Sequence, residues 1–146
     1  MMITIRRAEP DDAEEILAMI RAHAAFERSN APITLEQLRV LLAPGLAIQI
    51  LLACGHDGPL GYAALTFDTA LWRAERYAHL DCLYVREGHR GEGLGKRLLM
   101  AVADVARSAG CRRLEWQTPQ WNSDAIRFYE REGGWHEAKA RFHLDL

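Results

Sequence analysis

Hydrophobic positions along this chain recur with two periods, and the points where the period changes mark its elements. Ile3 to Arg6 reads as a first strand. Pro10-Asp11-Asp12 starts a helix, after which Ala13, Ile16, Leu17, Ile20 and Ala24 share one helical face. Thr34-Leu35-Glu36-Gln37 has the form of a capping box and opens a second helix to about Leu42, stopped by Pro44-Gly45. Ala47 to Cys54 is a strongly apolar strand, and His56-Asp57-Gly58-Pro59 is a turn. Gly61 to Thr69 is a third strand that forms a hairpin with the one before it, and Tyr77 to Val85 is a fourth. Leu94, Leu98, Ala101, Val102 and Val105 give the next helix, which ends near Gly110, an apolar stripe. Leu114 to Thr118 is a fifth strand, and Asn122 opens a last short helix. Trp135 to Ala138 and Arg141 to Leu146 are predicted to be two short closing strands. This order predicts one α/β domain over residues 1–146, a mixed sheet with helices on both faces.

Composition narrows the class. A chain of 146 residues is long enough to bury a proper core, and 49% apolar with 26% charged residues is ordinary for a globular protein. The net charge of -2 and the lack of a basic stripe argue against a nucleic-acid partner. Cys54, Cys82 and Cys111 are odd in number and lack C-x-x-C spacing, as expected of reduced thiols in a cytoplasmic protein. Met1-Met2-Ile3-Thr4-Ile5-Arg6-Arg7 has no long apolar run behind its charges, so no signal peptide is expected, and no apolar stretch is long enough for a membrane span. His23, His79 and His89 form no convincing ligand set, and no metal is expected.

The candidate chemistry begins at Arg90-Gly91-Glu92-Gly93-Leu94-Gly95-Lys96, between the fourth strand and the third helix. Three glycines on alternate residues let a backbone come close to an anion, and the helix that follows offers unpaired N–H groups and partial positive charge. Together they form a pyrophosphate-sized site. The spacing is wrong for a nucleotide P-loop, because Arg97 stands where a magnesium-binding Ser or Thr belongs. It is also wrong for a dinucleotide fingerprint, whose third glycine position holds Lys96. A glycine-rich turn with solvated charges is the bland alternative.

About thirty residues on stands Asn122-Ser123-Asp124-Ala125-Ile126-Arg127-Phe128-Tyr129-Glu130-Arg131-Glu132-Gly133. Asn122 and Ser123 are good N-caps, Ala125, Phe128 and Tyr129 share a face, and Gly133 can close the helix. The two segments together resemble the Arg/Gln-x-x-Gly-x-Gly/Ala loop and the Asn-x-x-Ala-x-x-Phe-Tyr helix of the GNAT superfamily of N-acetyltransferases. Ala25-Phe26-Glu27, His79 to Val85 and Trp121-Asn122 are most similar to the diamine and polyamine (spermidine/spermine-type) members. The resemblance implies the GNAT (acyl-CoA N-acyltransferase) fold, a central mixed, mostly antiparallel sheet with helices on both faces.

What the resemblance implies for chemistry is acetyl-CoA-dependent transfer of an acetyl group to a primary amine of a small cationic substrate, without a metal. The amides of Gly91, Glu92, Gly93, Leu94, Gly95 and Lys96 would cradle the pyrophosphate, with Arg90, Lys96 or Arg131 at phosphates. In the stretch Leu83, Tyr84 and Val85, the main chain of Leu83 and Val85 would pair with the pantetheine arm. Asn122 would bond the arm, and Ala125 leaves room for it. Asp81 is the candidate for attracting the ammonium and taking its proton, in a position where the polyamine family usually carries Glu. Tyr129 is the candidate general acid at the departing thiolate. A backbone N–H near Leu83 would stabilise the oxyanion, at a bulge that splays two parallel strands. By strand alternation Cys82 faces away from Asp81. Phe26, Glu27, Trp72 and Asp81 are the candidate acceptor residues, with Glu115 and Gln117 nearby. A homodimer is implied as well.

Two departures from the pattern bear on the acceptor. Gly134 intervenes before Trp135, which is expected to fill the usual aromatic position one residue late. Cys82 stands where many polyamine enzymes carry a second carboxylate, which favours a short diamine, an amino-acid amine or a thialysine-like compound over a long polycation. Acylation of a protein lysine or N-terminus, or of an aminoglycoside, and a catalytically inactive CoA-binding sensor are the competing readings.

Overall fold

The computed structural model describes residues 2–146. Its elements follow in the order β1 (Thr4–Arg7), α1 (Ala13–Phe26), α2 (Leu35–Leu41), β2 (Gln49–Gly55), β3 (Gly58–Ala70), β4 (Glu75–Val85), α3 (Leu94–Ser108), β5 (Leu114–Trp116) and α4 (Ser123–Arg131). The five strands form one sheet in chain order, with β1 to β4 antiparallel and β5 parallel to β4. The sheet is therefore mixed and mostly antiparallel.

Alternation along β2 sends Ile50 and Leu52 to one face and Leu51 and Ala53 to the other, and each pair meets a different helix layer. On the first face they pack with Ile16, Met19 and Leu38 of α1 and α2. On the second they pack with Leu98, Leu99 and Val102 of α3. A strand buried on both faces reads as a continuous apolar run, as Ile50-Leu51-Leu52-Ala53 does. Each fully buried leucine among these contributes roughly 1.5–3 kcal/mol. The helix starts follow from local chemistry. Thr34 Oγ1 accepts the Gln37 N–H at 3.1 Å while Gln37 Oε1 accepts the Thr34 N–H at 3.0 Å, completing the capping box.

Two features of the sheet position the site. Ala64 pairs with Cys82 and Leu65 with Leu80, so Asp81 is an extra residue in β4, a bulge. The parallel pairing of β4 with β5 runs from Ala78–Leu114 to Leu80–Trp116 and ends there. The two strands part at the residue before the bulge. This is why β5 stops at Trp116 instead of reaching Thr118.

The C-terminal stretch departs from the sequence reading. Residues 135–146 hold no strand. Phe142, Leu144 and Leu146 alternate as a strand would, but their side chains lie exposed, with no partner strand of this chain beside them. Nor does Trp135 fill an aromatic slot. It is exposed, with the Arg113 guanidinium 5.2 Å from its ring. The neighbouring Gly134 explains the shift: a Cβ there would lie 3.0 Å from the Trp116 ring and from the Tyr129 carbonyl. Trp116 occupies the space that an aromatic residue after Gly133 would need.

Candidate active site

The parting of β4 and β5 opens a cleft of about 1460 Å³, walled by the end of α1, the second half of β4, the start of α3, residues 116–120, one face of α4 and residues 138–141. Arg86 N–H donates to Leu60 O on β3 at 2.8 Å. By antiparallel alternation, Tyr84 spends its main-chain groups on β3 too, while those of Leu83 and Val85 point the other way, where β5 has left. The open edge of β4 past the bulge is thus a short template for an extended ligand, on which the Val85 carbonyl already accepts from Arg90 Nε.

The loop behind that edge is shaped for an anion. Gly91 and Gly93 both have φ near +81°, which only glycine adopts without strain, and a Cβ on either would meet nothing within 4 Å. The space is thus open in front of them, and no packing demand explains the two glycines. The first hydrogen bond of α3 runs from Arg97 N–H to Gly93 O at 3.1 Å, which leaves the amides before it for another partner. These residues fit a pyrophosphate. Gly95 has a different reason to be small, since the Phe128 ring of α4 lies 3.4 Å from where its Cβ would be.

The charged residues of the loop are partly engaged. Arg90 Nε donates to Val85 O at 3.0 Å, and its guanidinium lies over the rings of Phe26 and Tyr84. Lys96 Nζ lies 3.6 Å from Glu132, and Glu92 3.6 Å from His89. Arg131 lines the cleft. Asn122 Oδ1 accepts the Ala125 N–H at 3.2 Å, so its capping role is real, and its amide nitrogen is left over at the cleft wall.

Asp81, Phe26, Glu27, Ala125 and Tyr129 all line this cleft together with the loop. Tyr129 packs against Trp116 and Phe128, with ring centroids 5.1 and 5.2 Å away. Burial, and then the negative charge of Glu27, push its hydroxyl up to about 12. It stays protonated at neutral pH and keeps a proton to donate there. Cys82 does not face away from Asp81: its Sγ donates to Asp81 Oδ2 at 3.5 Å, because the bulge breaks the alternation. Burial and the Asp81 charge push that thiol up to about 12 as well.

Trp72 is not brought to the cleft. It sits in a single 3₁₀ turn between β3 and β4 and is 99% exposed. Glu115 is held by Arg73 and Arg113 outside the cleft wall, while Gln117 lines it. Sequence reading weighed His23 only as a metal ligand and missed its place beside Glu27. His23 lies 2.6 Å from Glu27 and 2.9 Å from the Tyr62 hydroxyl. The i, i+4 spacing of His23 and Glu27 was the available signal. Among the described residues no cluster of His, Cys, Asp and Glu could hold a metal ion, and no helix is long and apolar enough to cross a membrane.

A sequence model of the acetyltransferase (GNAT) family matches residues 14–135. The chain belongs to that family. As a GNAT acetyltransferase it is 30% identical to the thialysine N-epsilon-acetyltransferase of Bos taurus over an alignment covering 92% of this chain and 89% of the relative. It is 32% identical to the enzyme of that name from Caenorhabditis elegans, over 83% and 76% of the two chains. A solved structure from Arthrobacter sp. FB24, assigned provisionally to the acetyltransferases, superposes with a TM-score of 0.80 at 35% identity, over 98% of this chain and 96% of that one. The parted strands, the glycine loop and the Asn122 helix belong to the acyltransferase domain of this enzyme.

Proposed function

We propose that this GNAT enzyme transfers the acetyl group of acetyl-CoA directly to a primary amine of a small cationic substrate. The observation that carries the reading is the single cleft in which the open β4 edge, the anion-shaped loop, Asp81 and Tyr129 meet. Bound acetyl-CoA supplies a thioester carbonyl already activated for attack.

The chain's own residues do the rest. Amides from Gly91 to Lys96 hold the pyrophosphate, and the main chain of Leu83 and Val85 aligns the arm as an added strand. A lysine-like ammonium costs roughly 4.6 kcal/mol to deprotonate at pH 7. Asp81 attracts that cation and takes its proton, directly or through water. A main-chain N–H beside the bulge, at Leu83, would stabilise negative charge on the thioester oxygen. The Tyr129 hydroxyl would supply the proton that the CoA thiolate takes up on leaving. No residue becomes acylated.

The acceptor is best matched by a compact molecule with a second cationic group. Glu27 and Asp81 bring negative charge to the cleft, and two relatives matched over more than four-fifths of this chain are named for thialysine. The enzyme is read as cytoplasmic and homodimeric. Exposed Leu71 and Trp72, and the exposed Phe142, Leu144 and Leu146 of the C-terminal stretch, are the apolar surfaces that support a dimer, and light scattering tests it. Calorimetric titration with CoA and free-thiol release from acetyl-CoA over an amine panel test the activity. A folded protein that binds CoA but releases no thiol with any amine overturns the reading.

A further inference from the structure

A glutamate at the C-terminal end of a helix is poorly placed, because the helix dipole is negative there. Glu27 is the C-cap residue of α1, yet its side chain is only 33% exposed and turned inward. His23 holds it. The His23 side chain is 14% exposed, stacks on Tyr84 with centroids 5.2 Å apart, and meets Tyr62 edge-on at 5.9 Å. Both of its nitrogens are engaged, Nε2 with Glu27 Oε2 at 2.6 Å and Nδ1 with the Tyr62 hydroxyl at 2.9 Å.

The chemistry of the partners fixes the direction of these bonds. A carboxylate only accepts, so Nε2 carries the hydrogen. In the neutral ring Nδ1 then accepts, and the Tyr62 hydroxyl donates to it. Tyr62 is 2% exposed, and burial raises its phenol far above the ordinary value, so it remains a donor. Three elements, α1, β3 and β4, thereby hold one imidazole in one orientation. The carboxylate it clamps keeps Oε1 for a ligand. Glu27 lines the cleft together with Asp81, Cys82 and Tyr129, and its charge opposes the ionisation of Tyr129 and Cys82.

We propose that His23 is a positioning residue for acceptor choice: it clamps Glu27 so that the free carboxylate oxygen receives a second ammonium group of the acceptor. This rests on the amine-acetyltransferase reading above. An acceptor with a single nitrogen gains nothing from the clamp, whereas a diamine or a diamino acid does.

The test measures KM and kcat for paired acceptors, 1,4-diaminobutane against 1-aminobutane and L-ornithine against 5-aminopentanoate. The proteins are wild type, His23→Leu, His23→Gln and His23→Asn. Glutamine places an amide N–H near the Nε2 position and keeps the clamp, while asparagine reaches only the Nδ1 side. The leucine variant is expected to raise KM for the dicationic acceptors about tenfold or more, the scale of a charge-assisted hydrogen bond. KM for the monocationic partners, kcat and CoA affinity are expected to stay within about threefold. Glutamine recovers most of the loss and asparagine does not. Equal losses on both members of each pair, or rescue by asparagine as good as by glutamine, overturn the proposal while leaving the enzyme reading intact. If the leucine variant does not fold, the two amide variants carry the comparison alone. A wild type that turns over no amine overturns both.

Discussion

Leu80 and Cys82 stand two residues apart in β4 and face opposite sides of the sheet. Leu80 packs under α3, and Cys82 packs with the α1 side of the core. In a regular strand residues i and i+2 share a face. The extra residue between them, Asp81, absorbs the change of phase, and the sheet loses its β5 partner at the same place. One inserted residue thus puts a carboxylate at the cleft and turns the main chain of Leu83 and Val85 to the open edge.

Asp81→Asn keeps the side-chain size, and so the bulge, but removes the charge. The variant is expected to lose most of its amine-dependent rate below about pH 8 and to regain part of it as free amine accumulates toward the amine pKa of about 10.4. CoA affinity should stay within about twofold, since the amide template is untouched. A pH–rate profile parallel to that of wild type removes Asp81 as the base.

Tyr129→Phe is expected to lower kcat by about 10²–10⁴-fold, the usual worth of a general acid, with little effect on CoA binding. Because the hydroxyl is pushed up to about 12, its ionisation lies above the range in which the enzyme is assayed. Any basic limb between about pH 8 and 10 in the wild-type profile should therefore persist, at reduced amplitude, in the phenylalanine variant. A limb that vanishes with the hydroxyl places the Tyr129 titration lower than its surroundings imply.

The loop and the Asn122 helix were legible because their requirements are local. Gly91 and Gly93 need positive φ, and Asn122 caps its own helix, so neighbours in sequence suffice to see them. The bulge was expected near Leu83 only through the family resemblance. Its site at Asp81 depends on how residues 61–65 register against 80–85, which no local pattern encodes. The same holds for His23, whose Tyr62 partner comes from β3. Trp72 misled because an aromatic residue in a turn carries no direction, and here it points to solvent. The closing strands failed for a related reason: alternation shows that Arg141 to Leu146 could form a strand, not that it pairs with the β5 edge, and here it does not.

Cys82 should be inert although it lies at the cleft. With its thiol pushed up to about 12, only about one part in 10⁴ is thiolate at pH 8, against roughly a quarter for an ordinary thiol. Iodoacetamide should label it far more slowly than free cysteine, and Cys82→Ala should keep kcat within about threefold. The same shift has a sign for stability. The unfolded thiol ionises first, near the ordinary value, while the folded thiol keeps its proton until about 12. The contribution is therefore complete below the ordinary value and is lost as pH climbs toward 12. Melting curves of wild type should fall more steeply between about pH 9 and 11 than those of Cys82→Ala. Equal slopes would mean that the thiol is not held protonated.

Glycines that serve the ligand separate from glycines that serve the fold. A Cβ on Gly61 would lie 2.6 Å from the Tyr84 carbonyl, which is backbone and cannot move without shifting β3 against β4. Gly61→Ala is expected to cost about 1–3 kcal/mol, or several degrees in Tm at roughly 2–4 °C per kcal/mol for a chain near this size. A Cβ on Gly93 meets nothing in the protein, so Gly93→Ala pays only for its left-handed backbone, about 1 kcal/mol. Its methyl group, however, enters the space where the loop amides meet the pyrophosphate. The expected pattern is a small Tm change with at least a tenfold loss of CoA affinity for Gly93→Ala. For Gly61→Ala it is a larger Tm change, with affinity nearly retained in the folded fraction. Differential scanning fluorimetry and calorimetric titration of the two variants decide it. A Gly93→Ala protein that binds CoA as wild type does would show that the diphosphate does not sit on this loop, and the acetyl donor would have to be placed elsewhere in the cleft.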